Sequence, residues 1–167
     1  MKFLVTLTGL LIISVLQAQS DSIPQPPYKR FPTPPPFRLL MPDSSTYFTK
    51  ADLPKKTQLL IMVFNPDCEH CKKETDELIG NIEKFKKIQI VMATWQPFAE
   101  MKKFYEDFQL YQHPNIRVGR DVSFIIPPFY NIRNLPFLAL YDKKGNLITV
   151  AEGSLPMTKV LELFNNE

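Results

Sequence analysis

The chain has 167 residues, 44% of them hydrophobic and 22% charged, with a formal net charge of +3. That is enough for one domain with a real core and short of two. The charge is too mild for a nucleic-acid partner, because the doublets Lys72-Lys73, Lys86-Lys87 and Lys143-Lys144 stand apart with no longer run of cations. Two cysteines, Cys68 and Cys71, cannot tie distant parts of a fold together, so the core alone must hold it.

Lys2 gives a positive start, residues 3–16 are mostly apolar, and Gln17-Ala18 offers a small residue for cleavage. Residues 1–18 therefore read as a removed signal peptide, since the run is shorter than the roughly 20 apolar residues of a membrane span. Cleavage leaves 19 basic and 17 acidic residues, a net charge of +2. Membrane contact is expected only if this segment stays on as an anchor. Export places the chain in the periplasm or another part of the bacterial envelope, where thiols meet oxidants.

Residues 19–36 form a proline-dense arm, and half of the 16 prolines fall between Pro24 and Pro42. Proline fixes φ and lacks an N–H, so this stretch is expected to be an extended spacer without helix or central strand. Tyr28, Phe31 and Phe37 leave open a docking strip, or an arm packed on the domain.

A single domain is expected over residues 37–167. Short strands at 37–41 and 46–48 flank a turn at Asp43-Ser44-Ser45, and Thr49 caps one helical turn. Residues 59–64 are apolar on both faces, as in a central strand covered by helices. A helix follows from 68 to 85, with Leu78, Ile82 and Phe85 inward and Lys72, Lys73, Asp76, Glu77, Glu83 and Lys84 outward. Residues 88–93 form a second buried strand. The next helix, 97–110, carries a core stripe of Phe98, Met101, Phe104, Tyr105 and Phe108. A strand at 116–118 and a short helix at 123–130, interrupted by Pro127-Pro128, come next. Strands at 137–141 and 147–151 then enclose the turn signal Asp142-Lys143-Lys144-Gly145-Asn146, and a last helix spans 156–164. This order predicts an α/β fold of three layers, a central mixed sheet with helices on both faces.

The cysteines stand where a buried strand turns into a helix. The unpaired N–H groups and dipole of a helix start favour a thiolate, which makes Cys68 the expected nucleophile. Cys71, one turn further in, is the natural resolving thiol. Asp67 is the expected N-cap, and with Glu69 it opposes thiolate formation, whereas a protonated His70 favours it. Glu74, three residues after Cys71, shares its helix side. Leu135-Pro136 opens a strand, where a cis bond gives proline a reason to be and frees the Leu135 backbone for an extended polypeptide.

These features resemble the thioredoxin superfamily, and within it the exported TlpA-like and ResA-like thiol–disulfide oxidoreductases. The resemblance runs from about Phe37 to Glu167 and rests on three stretches. They are the strand–CxxC–helix, the run Leu135-Pro136-Phe137-Leu138-Ala139-Leu140-Tyr141-Asp142, and Lys144-Gly145-Asn146. Cys68-Glu69-His70-Cys71-Lys72-Lys73-Glu74 is similar to the ResA-type Cys-Glu-x-Cys-x-x-Glu pattern. The resemblance implies Cys68 as nucleophile, Cys71 as resolver, Glu74 as a proton-handling acid and Pro136 as the cis proline facing the pair. It implies a monomer that reduces protein disulfides and is recharged by an electron-donor protein, with no cofactor and no metal. Two positions depart from the pattern: Asp67 stands before the first cysteine, and Met62 stands where cytoplasmic thioredoxins bury an acid. Two competing readings are a copper or zinc site using Cys68 and Cys71 with His70 or His113, and a non-enzymatic interaction module docking through the arm.

Overall fold

The computed structural model describes residues 25–166, so the expected signal peptide lies outside the described residues. Seven strands form one sheet in the order β2-β1-β5-β4-β3-β6-β7. They are β1 Arg38–Leu40, β2 Tyr47–Thr49, β3 Gln58–Val63, β4 Ile88–Thr94, β5 Ile116–Asp121, β6 Phe137–Tyr141 and β7 Leu147–Glu152. β3, β4 and β5 run parallel, and β6 is antiparallel to β3. At the end of the sheet next to the cysteines, Val63 is flanked by Ala93 on one side and Phe137 on the other.

Alternation along the central strands splits the core in two. Leu60, Met62 and Phe64 face one layer with Met92 and Leu138, while Ile61 and Val63 face the other with Val91 and Ala139. The first layer is covered by three helices: α2 Glu69–Gly80, α3 Phe98–Asp107 and α5 Met157–Asn165. The second is covered by α4 Ile126–Tyr130 and by the proline arm. Because β4 and β5 extend the parallel run in one direction, right-handed crossovers put α2 and α3 on the same face. The stripe on α3 is core, with the Phe104 ring 4.5 Å from both Phe64 and Phe108.

The arm departs from the expectation of a spacer. Residues 25–36 lie on the domain, and Pro27–Arg30 make one helical turn, α1, that begins on proline where a missing N–H costs nothing. Tyr28 packs on Tyr130 with ring centroids 5.9 Å apart, Pro34 and Pro35 are buried, and the Pro32 carbonyl accepts the Leu147 N–H at 2.8 Å.

Other boundaries moved for local reasons. The cysteine helix stops at Gly80, Asn81 caps it, and a 3₁₀ turn, Ile82–Phe85, carries Phe85 into the core. α3 ends at Asp107 because Gln109 takes φ +50° before a second 3₁₀ turn, Leu110–Gln112. Pro127 and Pro128 do not interrupt α4; they sit in its first turn, where proline is tolerated. β5 runs three residues past its expected end because β1 pairs with Leu39 opposite Asp121. Gly119 permits that approach: a Cβ there would lie 2.7 Å from Leu39 Cβ and 3.0 Å from the Leu40 carbonyl oxygen. Among the described residues no helix is long and apolar enough to cross a membrane.

Candidate active site

The site forms where β3 ends. Phe64 is buried below it and donates its N–H to the Ala93 carbonyl at 3.0 Å. Asn65 shapes the turn: its side-chain oxygen accepts the Asp67 N–H at 2.9 Å and its carbonyl accepts the Cys68 N–H at 3.1 Å. The N-cap of α2 is then Cys68, not Asp67 as the sequence led us to expect. Cys68 has extended backbone, φ −80° and ψ 115°, and its sulfur accepts the Cys71 N–H at 3.2 Å. A sulfur therefore occupies the position where a capping oxygen normally sits. Partial negative charge on it is favoured by the helix end. Asp67 is left exposed beside it.

Cys68 is half-buried and Cys71 is buried, and both are free thiols. Cys71 belongs to the apolar layer with Met62, Phe64 and Leu78. Met62, in place of an acid, keeps that layer apolar. Burial is the first reason the Cys71 thiol is pushed up to about 12. The hydrogen bond with Cys68 and the charges of Cys68 and Glu74 add to it, against a backbone contact from Asn65 that pulls the other way.

The loop before β6 brings the third component. The Leu135–Pro136 bond is cis, and the Leu135 carbonyl faces Cys68, whose S–H reaches it at 3.9 Å. The Pro136 carbonyl is taken by the Gly153 N–H at 2.8 Å, while the Leu135 N–H has no partner among the described residues.

Glu74 is buried with 2% exposure, and its Oε1 accepts the Leu155 N–H at 3.1 Å. Burial raises its carboxyl above the usual range, and the Leu155 and Ser154 hydrogen bonds only partly offset this. Glu77, assigned to the outer face from its spacing, instead turns toward α5 and accepts the Met157 N–H at 2.7 Å. One helix thus supplies both the cysteine pair and the acceptors for the start of α5. The only sequence signal for this was the i, i+3 spacing of the two glutamates, which does not say what they face.

His70 is exposed on α2. His113 precedes β5, at the end of the sheet away from the cysteines, so the two histidines do not join the pair. Among the described residues no three His, Cys, Asp or Glu side chains converge as metal ligands.

No family model matches the sequence, and no curated protein matches it either. Solved structures do superpose. A secreted disulfide oxidoreductase of Mycobacterium tuberculosis, described as homologous to E. coli DsbE, gives a TM-score of 0.65 at 17% identity, covering 79% of this chain and 96% of its own. The chain has a thioredoxin fold. The exposed lipoprotein thioredoxin of Streptococcus pneumoniae gives 0.60 at 18% identity, over 75% of this chain and 97% of its own. A thioredoxin-like protein of Aeropyrum pernix gives 0.63 at 14%, over 83% and 92%. In thioredoxin-fold terms, the seven-stranded sheet here places a CxxC at a helix mouth beside a cis proline, with a buried glutamate one turn below.

Proposed function

We propose that this chain is an exported thiol–disulfide oxidoreductase that reduces disulfides in polypeptides. The observation that carries the reading is the asymmetry of the pair: Cys68 sits at the helix mouth against the Leu135 carbonyl, and Cys71 is buried behind it. Cys68 as thiolate attacks one sulfur of a substrate disulfide. That bond breaks, a mixed disulfide forms, and the departing sulfur leaves as a thiolate that takes a proton. The free Leu135 N–H and its carbonyl can pair with the substrate backbone and hold it extended across the site.

Resolution needs Cys71 to lose a proton that burial holds tightly. Glu74 lies one turn below with a carboxyl of raised proton affinity, so it can receive that proton. The Cys71 sulfur then attacks Cys68, the substrate leaves with two thiols, and the chain keeps the two-electron oxidised pair. An electron-donor protein must reduce it again. Export is supported by residues 1–18 and by the first two proteins above, one described as secreted and the other as an exposed lipoprotein.

The test is trapping. A Cys71→Ser variant with a disulfide-bonded polypeptide is expected to accumulate a mixed disulfide at Cys68, cleaved by reductant and located by peptide mass. If no such adduct forms while the parent reduces the same substrate, the assignment of Cys68 is wrong.

A further inference from the structure

Lysine doublets that lie apart in the sequence meet in the fold. Lys55-Lys56 precede β3, Lys86-Lys87 precede β4, and Lys143-Lys144 follow β6. Since β3 and β4 are parallel and β6 is antiparallel to β3, all three doublets fall at one end of the sheet. Two adjoining clefts of about 350 Å³ and 610 Å³ open there, sharing Lys56 and Lys143 in their walls, and the six doublet lysines and Lys50 line them. All seven side chains are exposed.

Little at this end balances them. Of these seven lysines only Lys86 has an ion-pair partner among the described residues, Glu83. Asp142 is occupied by the N–H groups of Lys144 and Asn146, and Asp52 by Thr49. Among the described residues that line the two clefts there are seven ammonium groups and one carboxylate, Asp142. The charge is concentrated at a pole. Lysines spread over two open clefts lack the fixed fork geometry that grips a single phosphate, so they suit a plane of anions better than one small ligand.

The arm adds polar atoms to this end without adding a carboxylate: Pro34 lines the smaller cleft, and Thr33 Oγ1 lies 3.3 Å from Lys50 Nζ. We infer that the lysine pole docks on an anionic lipid surface, with the Cys68–Cys71 end directed away from it. The orientation follows from the fold, since the cysteines follow the far end of β3, roughly 20 Å of strand away. The matter of which end does chemistry rests on the redox reading; the docking does not.

The experiment is co-sedimentation of the mature chain, without residues 1–18, with phosphatidylcholine vesicles, with and without phosphatidylglycerol. A lysine close to an anionic surface contributes about 1 kcal/mol, about fivefold in partitioning. The parent is expected to partition at least ~100-fold more strongly onto the anionic vesicles, and to lose that preference in about 0.5 M salt, where screening acts over a few ångströms. K55Q/K56Q/K143Q/K144Q should lose at least ~50-fold of it, with an unchanged unfolding midpoint. K102Q/K103Q, on the exposed side of α3, should lose less than about fivefold. Double replacement of the cysteines by serine should leave the preference intact and abolish disulfide reduction, which separates docking from chemistry. Equal partition onto both vesicle types, a quadruple variant that binds like the parent, or equally tight retention on duplex DNA at the same salt would overturn the inference.

Discussion

In the Cys68→Ser variant the remaining thiol is Cys71, fully buried among Met62, Phe64 and Leu78. With both cysteines present, its thiol rises from 9.0 to about 12. Three units lower the thiolate fraction about 1,000-fold at any pH below 9. Serine at position 68 removes the Cys68 charge and leaves burial, the main cause, in place. The variant is therefore expected to react with iodoacetamide at pH 8 at least ~100-fold more slowly folded than unfolded. Intact mass against time gives both rates. The Cys71→Ser variant, whose remaining sulfur is half-buried at the helix mouth, should label without denaturant. If folded Cys68→Ser labels within about tenfold of its unfolded rate, the burial argument fails, and with it the division of labour between the sulfurs. The same shift fixes a sign: the fold holds the Cys71 proton more tightly than the unfolded chain does, so its stabilising contribution falls as pH rises above 9.

Glu74→Gln should change the pH dependence of stability in a defined direction. Burial keeps the folded-state carboxyl above the ordinary 4.5, so Glu74 stabilises fully below that pH and loses the contribution as pH rises through the folded value. Urea midpoints from pH 4 to 8 should fall more for the parent than for the variant, and parallel curves would contradict the raised carboxyl. With both cysteines in place, the same variant should form the mixed disulfide normally and resolve it more slowly, followed by quenched time points of the adduct. Gly119→Ala should cost about 1–3 kcal/mol, because the new Cβ meets Leu39 Cβ at 2.7 Å and a backbone oxygen at 3.0 Å. Urea unfolding measures it, and a loss under about 0.3 kcal/mol would mean β1 shifts freely on β5.

The central strands, the helix after the cysteines and the closing hairpin were legible because each carries a local rule. β3 is apolar on both faces, Cys68 follows a strand and precedes a helical period, and Asp142 to Asn146 hold turn residues in the order a hairpin needs. What could not be read depends on partners remote in sequence. The cap is Cys68 and not Asp67 because the Asn65 turn delays the helix by one residue, leaving the Cys68 sulfur to accept the Cys71 N–H. Glu77 reads as a surface acid until α5 arrives 80 residues later. The proline arm has the composition of a spacer, and contacts remote in sequence, with Tyr130 and the Leu147 N–H among them, give it somewhere to lie. The lysine doublets read as scattered because strand direction, not sequence distance, brings them together.

The arm's contact with β7 has a bearing on how this molecule keeps to itself. β7 is the outermost strand on its side, and an open strand border invites a neighbour to add on. Pro32 offers a carbonyl to the first donor of that border, yet, as a proline, it has no N–H to give in return. A segment built this way can close part of a border without becoming a fresh one, so a proline-rich stretch is suited to finish a sheet where a more ordinary sequence would have prolonged it.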